Sequence, residues 1–248
     1  MDSGSETHRD RLKKLAATRP APVLPKWLWL WFPPLLLFVI IPIRIIDPAA
    51  YSTWIDSELG LIELTTPVLA FIGAVIGCRL LLRLRHDDFT TINAWIAILV
   101  LACIYFAGEE LSWGQHIIQW QTPEYIESIN DQKETNLHNV SSWFDQKPRL
   151  LLELWVLIGG IFVPLRELRR GSRLTPSEFR YWFWPTMDCL PAAGLAILVR
   201  LPERLKDLCG IESMPLEIRY SEPQEYYFAM FLMIYLASLT ARKDRQAS

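Results

Sequence analysis

The sequence predicts an all-α, polytopic transmembrane helix bundle of about six spans, with both termini in the cytoplasm. Three observations support this fold class. Residues of the AVILMFWYC set make up 51% of the 248 residues, and the mean hydropathy of +0.17 is rarely combined with 11 tryptophans in a soluble chain. The apolar residues fall in blocks. The charged residues, 21% of the chain, lie between them. This composition excludes a disordered, collagen-like or disulfide-stapled chain.

Six apolar segments are long enough, or nearly so, to cross a bilayer. A core of ~30 Å needs about 20 mostly apolar residues, because lipid offers no partner to a bare backbone. In chain order the segments are 27–46, 61–82, 89–108, 150–165, 181–199 and 224–240. The third runs past Gly108 without a helix breaker, and the fourth is expected to begin about one turn earlier. In the second, Gly73 and Gly77 form a G-x-x-x-G pair, which is typical of closely packed helices.

The distribution of Lys and Arg predicts the orientation of these spans. Sixteen of the 25 lie in the two tails and in the loops on the same side, seven lie in the loops on the other side, and two lie within spans. The side with more positive charge is expected to be cytoplasmic. The net charge of −2 therefore conceals opposite charges on the two faces, and it implies no nucleic-acid partner.

This orientation divides the chain into three parts. Residues 1–26 form a basic cytoplasmic tail, residues 27–240 form the membrane domain, and residues 241–248 form a second basic cytoplasmic tail. Within the membrane domain the longest outer loop is 112–149. The expected location is a bacterial cytoplasmic (inner) membrane, and the expected partner is the lipid bilayer.

The stretch 108–139 is too polar for a plain anchor. It reads GEELSWGQHIIQWQTPEYIESINDQKETNLHN and begins at the outer boundary of the third span. If that helix continues, Glu109, Ser112 and His116 fall on one face, while Glu110 points elsewhere. Further on, Glu134 and His138 are four residues apart, so that a local helix would place them side by side. Unpaired carboxylates are costly at this depth, which makes the stretch a candidate site.

Two interpretations of this stretch are open. In the first, Glu109, His116, Glu134 and His138 bind a divalent metal ion such as zinc that activates water, or act without a metal as acid/base groups. In the second, the polar groups only satisfy one another, cap the helix and hold the loop against the bundle. The spacing matches no specific zinc-hydrolase pattern.

Three more ionisable residues lie within spans or near their ends, where such side chains usually face a cavity or a partner. They are Glu63, Glu153 and Asp188. Glu63 and Glu153 are expected on the outer side, as is Glu109, whereas Asp188 is expected nearer the inner half.

The block from Glu109 to Gln115, E-E-L-S-W-G-Q, and the later N-x-Q-x-E-x-N-L-H-N from Asn130 to Asn139 resemble a signature in a group of uncharacterised bacterial multi-spanning membrane proteins. The opening of the second span is similar to theirs as well. The resemblance implies a helical membrane fold and brings no established activity. In that group a basic residue often stands at the position of His116. The resemblance therefore favours the other acidic and histidine residues as site candidates: Glu109, Glu110, Glu134 and His138.

A fainter resemblance is to the superfamily of ceramidases and adiponectin receptors, which are membrane hydrolases. Ser112 and His116, four residues apart, resemble its early Ser and His. That superfamily also has a late H-x-x-x-H pair. This chain has no His after His138, so two of the zinc ligands that the resemblance implies are missing.

These features predict an outward-facing Glu/His site that catalyses hydrolysis or group transfer on a lipid-linked or periplasmic substrate. The candidate catalytic residues are Glu109, Glu110, Ser112, Glu134 and His138. One alternative is a proton- or cation-coupled transporter that uses Glu63, Glu109 and Glu153. Another is a non-enzymatic membrane assembly subunit that docks a partner on its outer loop.

Overall fold

The computed structural model describes most of the chain. The described residues are 22–57, 60–84, 90–127, 129–130, 135–136, 140, 142–170, 175–212, 214 and 216–247. All regular secondary structure in these ranges is helical, which confirms the all-α prediction.

Twelve α-helices are numbered here along the described chain. They are α1 (Phe32–Ile46), α2 (Pro48–Trp54), α3 (Leu61–Arg83), α4 (Thr90–Glu110), α5 (Gln115–Ile118), α6 (Glu124–Glu127), α7 (Ser142–Trp155), α8 (Val163–Arg170), α9 (Phe179–Phe183), α10 (Leu190–Leu198), α11 (Leu201–Cys209) and α12 (Ser221–Ala247). A π-helical turn, Trp27–Trp31, leads into α1, and a π-helical segment, Val156–Phe162, joins α7 to α8.

Five helical segments are long and apolar enough to cross a membrane, so the chain has the character of a multi-pass membrane protein. They are Trp27–Ile46, Leu61–Arg83, Thr91–Glu110, Gln146–Arg170 and Phe179–Cys209. They match the first five predicted spans. The fourth begins before residue 150, as the sequence suggested. The sixth predicted span, 224–240, lies in α12, which is not among the five.

Helix α12 forms the core of the bundle and packs along α3 and α10. Its side chains from Tyr227 to Ile234 are almost completely buried, as are Tyr235 and Leu236. A helix that is apolar on every side needs neighbours on every side. This explains why α12 occupies the centre, while the other five segments expose apolar side chains to the surroundings.

The two glycines of the predicted G-x-x-x-G pair lie where α3 meets its neighbours. A Cβ at Gly73 would lie 3.3 Å from Cys103 Sγ of α4 and 3.3 Å from Met233 Cα of α12. A Cβ at Gly77 would clash with Val100 of α4 and lie 3.2 Å from Leu236 Cδ2. The missing side chains let α3 approach both helices closely, as the pattern predicted.

The bundle has two polar ends. At the Glu63 end, α3 and α12 begin and α4 ends; here Tyr51 Oη donates to the Ile218 carbonyl at 3.1 Å. At the opposite, Arg242 end, Arg245 Nη2 donates to the Val23 carbonyl at 3.2 Å. The first and last described residues therefore lie at the same end.

The fifth segment is broken, although the sequence predicted one continuous helix over 181–199. Helix α9 stops at Trp184, whose φ of −90° and ψ of 136° are extended. The next residue is Pro185, which disfavours helical geometry in the residue before it. The chain then makes a 3₁₀ turn, Met187–Cys189, before α10 begins.

Candidate functional site

The helix that carries Glu109 does not continue into the loop, so the predicted continuous face of Glu109, Ser112 and His116 is wrong. Helix α4 ends at Glu110, and the next residues turn sharply. Ser112, Trp113 and Gly114 all have positive φ values, of 44°, 56° and 97°. Such a conformation costs a residue with a side chain on the order of 1–3 kcal/mol and requires compensating contacts.

The compensation begins with Trp113, which folds back onto α4. Its Nε1 donates to Glu109 Oε1 at 2.7 Å, and its indole covers Gly108, where a Cβ would lie 2.8–2.9 Å from ring carbons. The Glu109 side chain is buried, with 3% of its surface exposed. Glu109 therefore serves to hold the turn in this structure.

Gln115 holds the following stretch together through both ends of its amide. Its Nε2 donates to Thr122 Oγ1 at 2.8 Å and to the Trp120 carbonyl at 3.3 Å, while its Oε1 accepts from the Thr135 backbone N–H at 2.6 Å. Trp120 Nε1 in turn donates to Thr135 Oγ1 at 3.1 Å. These bonds bring Thr135 close to Gln115, Trp120 and Thr122.

Two asparagines tie the far side of this loop to the turn. Asn136 Nδ2 donates to Ser112 Oγ at 3.0 Å, and Asn130 Nδ2 donates to Asn136 Oδ1 at 2.9 Å. All three side chains are buried. Ser112 thus lies in a buried hydrogen-bond network with Asn130 and Asn136. This agrees with the second interpretation of the sequence, in which the polar groups of the loop satisfy one another.

The remaining candidates in this stretch lie beyond what the structure describes. Glu134 and His138 are outside the described residues, and so is the side chain of His116. Within the described part of the chain, no group of three or more His, Cys, Asp or Glu residues is placed to hold a metal ion. A metal site that uses Glu134 and His138 stays a prediction.

Glu110 points away from this loop, as predicted, and enters a different cluster. Its carboxyl interacts electrostatically with those of Glu63, Glu222 and Glu225, and also with the Arg149 guanidinium. Glu63 lies in the first turn of α3, while Glu222 and Glu225 lie near the start of α12. Three helix termini therefore bring four carboxyls together at the Glu63 end. We call these four residues the carboxylate cluster.

Two of these carboxyls are close enough to share a proton. The carboxyls of Glu63 and Glu222 are within hydrogen-bonding reach of each other. An ionised carboxylate only accepts hydrogen bonds, so a bond between two carboxyls requires a proton on one of them. All four residues are intermediate between buried and exposed.

Within the described residues, two guanidinium groups pair with the carboxylate cluster. Arg149 of α7 pairs with Glu225 at 2.5 Å, and Arg219 pairs with Glu222 at 3.5 Å. Arg219 also pairs with Asp56 at 3.2 Å. Burial lowers the pKa of Arg219, but the carboxylates of Glu222 and Asp56 outweigh burial and shift it upward. Together with Asp56, the carboxylate cluster therefore sets five carboxyls against these two guanidiniums.

Glu153 and Asp188, the other ionisable residues singled out in the sequence, are placed elsewhere. Glu153 pairs with Arg204 of α11. Asp188, at the Arg242 end, accepts hydrogen bonds from the backbone N–H groups of Val23 and Leu24 at 3.1 and 3.0 Å. Neither joins the carboxylate cluster.

The sequence argument missed Glu222 and Glu225. Glu222 lies in the predicted outer loop just before the sixth predicted span, 224–240, and Glu225 lies within that span. One signal was present: their spacing of three residues puts them on one helical face, and the predicted topology starts α12 on the same side as Glu63. The spacing does not indicate which helices are neighbours in the bundle. The sequence therefore could not predict that Glu222 lies beside Glu63.

The helical bundle and its five apolar segments define a multi-pass membrane protein. Comparison with known proteins adds no narrower class: no family profile, no curated protein and no solved structure matches the chain. The resemblance to the bacterial multi-spanning group therefore stays a prediction.

Proposed function

We propose that this chain is a six-span protein of a bacterial inner membrane that catalyses hydrolysis or group transfer on a lipid-linked or periplasmic substrate. Its acid/base centre is the carboxylate cluster, which faces the periplasm. The observation that carries this proposal is the convergence of four carboxyls from three helices, which in the described part of the chain pair with two guanidiniums.

The six-span topology rests on the meeting of the two termini. Arg245 near the end of α12 donates to the carbonyls of Pro22 and Val23, so that the described chain starts and finishes at the Arg242 end. Five crossings would leave the termini on opposite sides of a membrane. A sixth crossing by α12 returns the chain to its starting side, and the basic tails favour the cytoplasm for that side.

The chemistry follows from one shared proton. In hydrolysis, an ionised carboxylate of the carboxylate cluster takes a proton from water as the water attacks, and a protonated carboxyl gives a proton to the leaving group. The Glu63–Glu222 pair holds one proton, so its ionised carboxylate is the base, and Glu110 beside the pair is the carboxyl that gives its proton to the leaving group. In this proposal Glu109 and Ser112 are positioning residues, because they hold the turn that follows Glu110.

The test replaces single carboxyls by amides in the purified full-length protein. Glu110→Gln and Glu63→Gln should each lower the conversion of host polar lipid extract, followed by mass spectrometry, by about a hundredfold or more. Glu63→Gln should also remove a protonated-carboxyl band from the infrared spectrum at neutral pH. Glu124→Gln, on exposed α6, is the matched control and should change neither. Unchanged conversion and an unchanged band in Glu63→Gln would overturn the proposal.

A divalent metal ion such as zinc belongs to this proposal on the sequence alone. Glu134 and His138 are its candidate ligands, together with His116 and Glu109. Elemental analysis of the purified protein tests it: wild type should carry about one ion per chain, and His138→Ala should lose it. If wild type contains no metal and still converts lipid, the acid/base centre consists of the carboxylate cluster without a metal ion.

One observation favours a second function, proton- or cation-coupled transport. The break between α9 and α10 resembles the discontinuous helices at which transporters bind ions. Transport predicts a pH-dependent flux in proteoliposomes without any new lipid product. However, between Tyr227 and Tyr235 the central helix α12 carries only apolar side chains, so it offers no continuous polar path along its length.

A further inference from the structure

A cleft of about 220 Å³ opens beside the carboxylate cluster. It lies between α11 and the chain that leads into α12, and its lining includes two acidic and two basic side chains: Glu203, Lys206, Glu217 and Arg219. Met214 and Tyr220 complete it. Sites that enclose a whole drug-sized ligand measure roughly 300–1,000 Å³. This cleft is smaller, so it suits a small polar group whose remainder lies outside.

Helix α11 places the cleft at the surface of the bilayer. The segment Phe179–Cys209 has 31 residues, more than the about 20 that a crossing of the ~30 Å apolar core needs. Its last part, α11, is amphipathic: Leu201, Leu205 and Leu208 form one exposed stripe, with exposed fractions of 43%, 47% and 83%. Glu203 and Lys206 lie on the other face. An interfacial helix buries such a stripe among acyl chains.

The charges in the cleft are loosely held. Lys206 Nζ is 3.6 Å from Glu217, with 29% and 55% of the two side chains exposed. Exposed pairs of this kind contribute about 0–1 kcal/mol, so they can exchange partners at little cost. Glu203 pairs with Arg200, and burial together with Glu217 and Glu203 raises the pKa of Tyr220. The cleft thus offers both cationic and anionic contacts to a ligand.

Arg219 connects this cleft to the proposed acid/base centre. Arg219 lines the cleft, and its guanidinium pairs with Glu222, whose carboxyl lies beside that of Glu63. Its φ of 44° is unusual for a residue with a side chain and is held by the ion pairs with Asp56 and Glu222. A group bound in the cleft would therefore lie next to the carboxylate cluster.

We infer that the cleft binds the head group of a phospholipid that carries both a primary ammonium and a phosphate diester. Lys206 and Arg219 contact the phosphate, Glu203 and Glu217 contact the ammonium, and the acyl chains lie along the leucine stripe of α11. The equal number of acidic and basic side chains matches a zwitterion better than an anion. This inference rests on the proposed function and names its substrate class as an ethanolamine-type phospholipid.

The test measures lipid binding to the detergent-purified full-length protein by native mass spectrometry. The probes are dioleoyl phosphatidylethanolamine, phosphatidylcholine and phosphatidylglycerol, each added at the same concentration. Wild type should retain phosphatidylethanolamine best, because only its primary ammonium donates to Glu217 and Glu203. Lys206→Ala and Glu217→Ala should each weaken that binding by about tenfold, the loss of one charge-assisted hydrogen bond.

The control is Arg83→Ala, which removes a more exposed ion pair with Asp244, 3.4 Å long, at the Arg242 end. It should bind phosphatidylethanolamine as wild type does. Equal retention of the three lipids, preference for phosphatidylglycerol, or an equal loss in Arg83→Ala would each overturn the inference. Conversion by Glu110→Gln and lipid preference by wild type separate the two proposals. If Glu110→Gln abolishes lipid conversion but wild type prefers none of the three lipids, only the head-group assignment fails. If wild type prefers phosphatidylethanolamine but Glu110→Gln converts lipid as wild type does, only the acid/base function fails.

Discussion

At the scale of single residues, adjacent side chains in this chain have different environments. Glu109 is buried against Trp113, while Glu110, the next residue, faces three other carboxyls. The separation follows from helix geometry, because consecutive side chains lie about 100° apart. The motif E-E-x-S-W-G-Q therefore combines one residue of the carboxylate cluster with the residues of a structural turn.

Gly108→Ala tests whether the turn depends on the stacked indole. The new methyl group would occupy the space of the Trp113 ring, so the indole must move and its bond to Glu109 must break. We expect a loss of about 1–3 kcal/mol in stability, measured by thermal unfolding in detergent. Gly194→Ala in α10 is the control, since no atom lies within 4 Å of its Cβ position, and it should unfold at or above the wild-type temperature.

Tyr51→Phe tests the contact between α2 and the segment before α12. Burial, with a contribution from Asp56, raises the pKa of Tyr51 to about 12 from 10.0. The neutral phenol is thus favoured in the folded state, and its contribution to stability is complete below pH 10 and is lost as pH rises towards 12.

Tyr51→Phe should therefore be less stable by about 1 kcal/mol at neutral pH, because the bond to the Ile218 carbonyl is gone. It should also lose less of its own stability than wild type between neutral pH and high pH. Tyrosinate absorbance and thermal unfolding measure both effects. Tyr125→Phe, on exposed α6, is the control and should lose as much stability at high pH as wild type does. If Tyr51→Phe also loses as much stability as wild type, the contact of Tyr51 with Ile218 does not cause the pH dependence.

At the scale of elements, the break after α9 is the least regular part of the bundle. It exposes carbonyls that a continuous helix would satisfy, and they find partners on α12. Arg242 Nη2 donates to the Trp184 carbonyl at 3.2 Å, and the Tyr235 hydroxyl donates to the Phe183 carbonyl. Arg242 is 1% exposed. The carbonyls freed by the break are therefore satisfied by buried side chains of α12, Arg242 among them, rather than by solvent.

Arg242→Gln should destabilise the break selectively. Carbonyls of Tyr181 and Trp184 lose their donor, which costs about 1–3 kcal/mol for each buried acceptor left unpaired. We expect a lower unfolding temperature and faster proteolysis between α9 and α10. Arg83→Gln, in an exposed ion pair, should change stability by less than about 1 kcal/mol. Equal effects of the two substitutions would contradict the role given to Arg242.

At the scale of the whole molecule, the two ends of the bundle differ in their contacts. The Glu63 end gathers the carboxylate cluster and the cleft. At the Arg242 end, Val23 is hydrogen-bonded both to Arg245 and to Asp188. An orientation that places the Glu63 end outside makes the cluster accessible to periplasmic substrates and keeps both basic tails in the cytoplasm.

Cys209 reports this orientation directly. It is exposed at the end of α11, on the same side as the carboxylate cluster, whereas Cys103 and Cys189 are buried. A membrane-impermeant maleimide should label Cys209 in intact spheroplasts. Labelling should vanish in Cys209→Ser and persist in Cys78→Ser. Labelling that appears only after lysis would show that the Glu63 end faces the cytoplasm.

Much of the fold could be predicted from the sequence, because the bilayer imposes it on local composition. The positions of five membrane-crossing helices, the all-α class and the close packing at Gly73 and Gly77 follow from apolar blocks and small residues. The break at Trp184 was missed although Pro185 signals it, since proline is also tolerated inside membrane helices. The continued helix after Glu110 was wrong, because the positive φ angles there are stabilised by Trp113, Gln115 and Asn136, contacts that no periodicity encodes.

The candidate site shows where this limit lies. By itself the sequence determined that the chain is built of membrane helices, that Glu110 and Glu63 lie near one boundary, and that Glu109 and Glu110 point apart. Only the tertiary structure decided that Glu222 and Glu225 face Glu63 and Glu110, and that Arg219 joins them to the cleft. The physical reason is that composition and spacing fix the depth and facing of each helix, whereas the pairing of charges depends on which helices become neighbours.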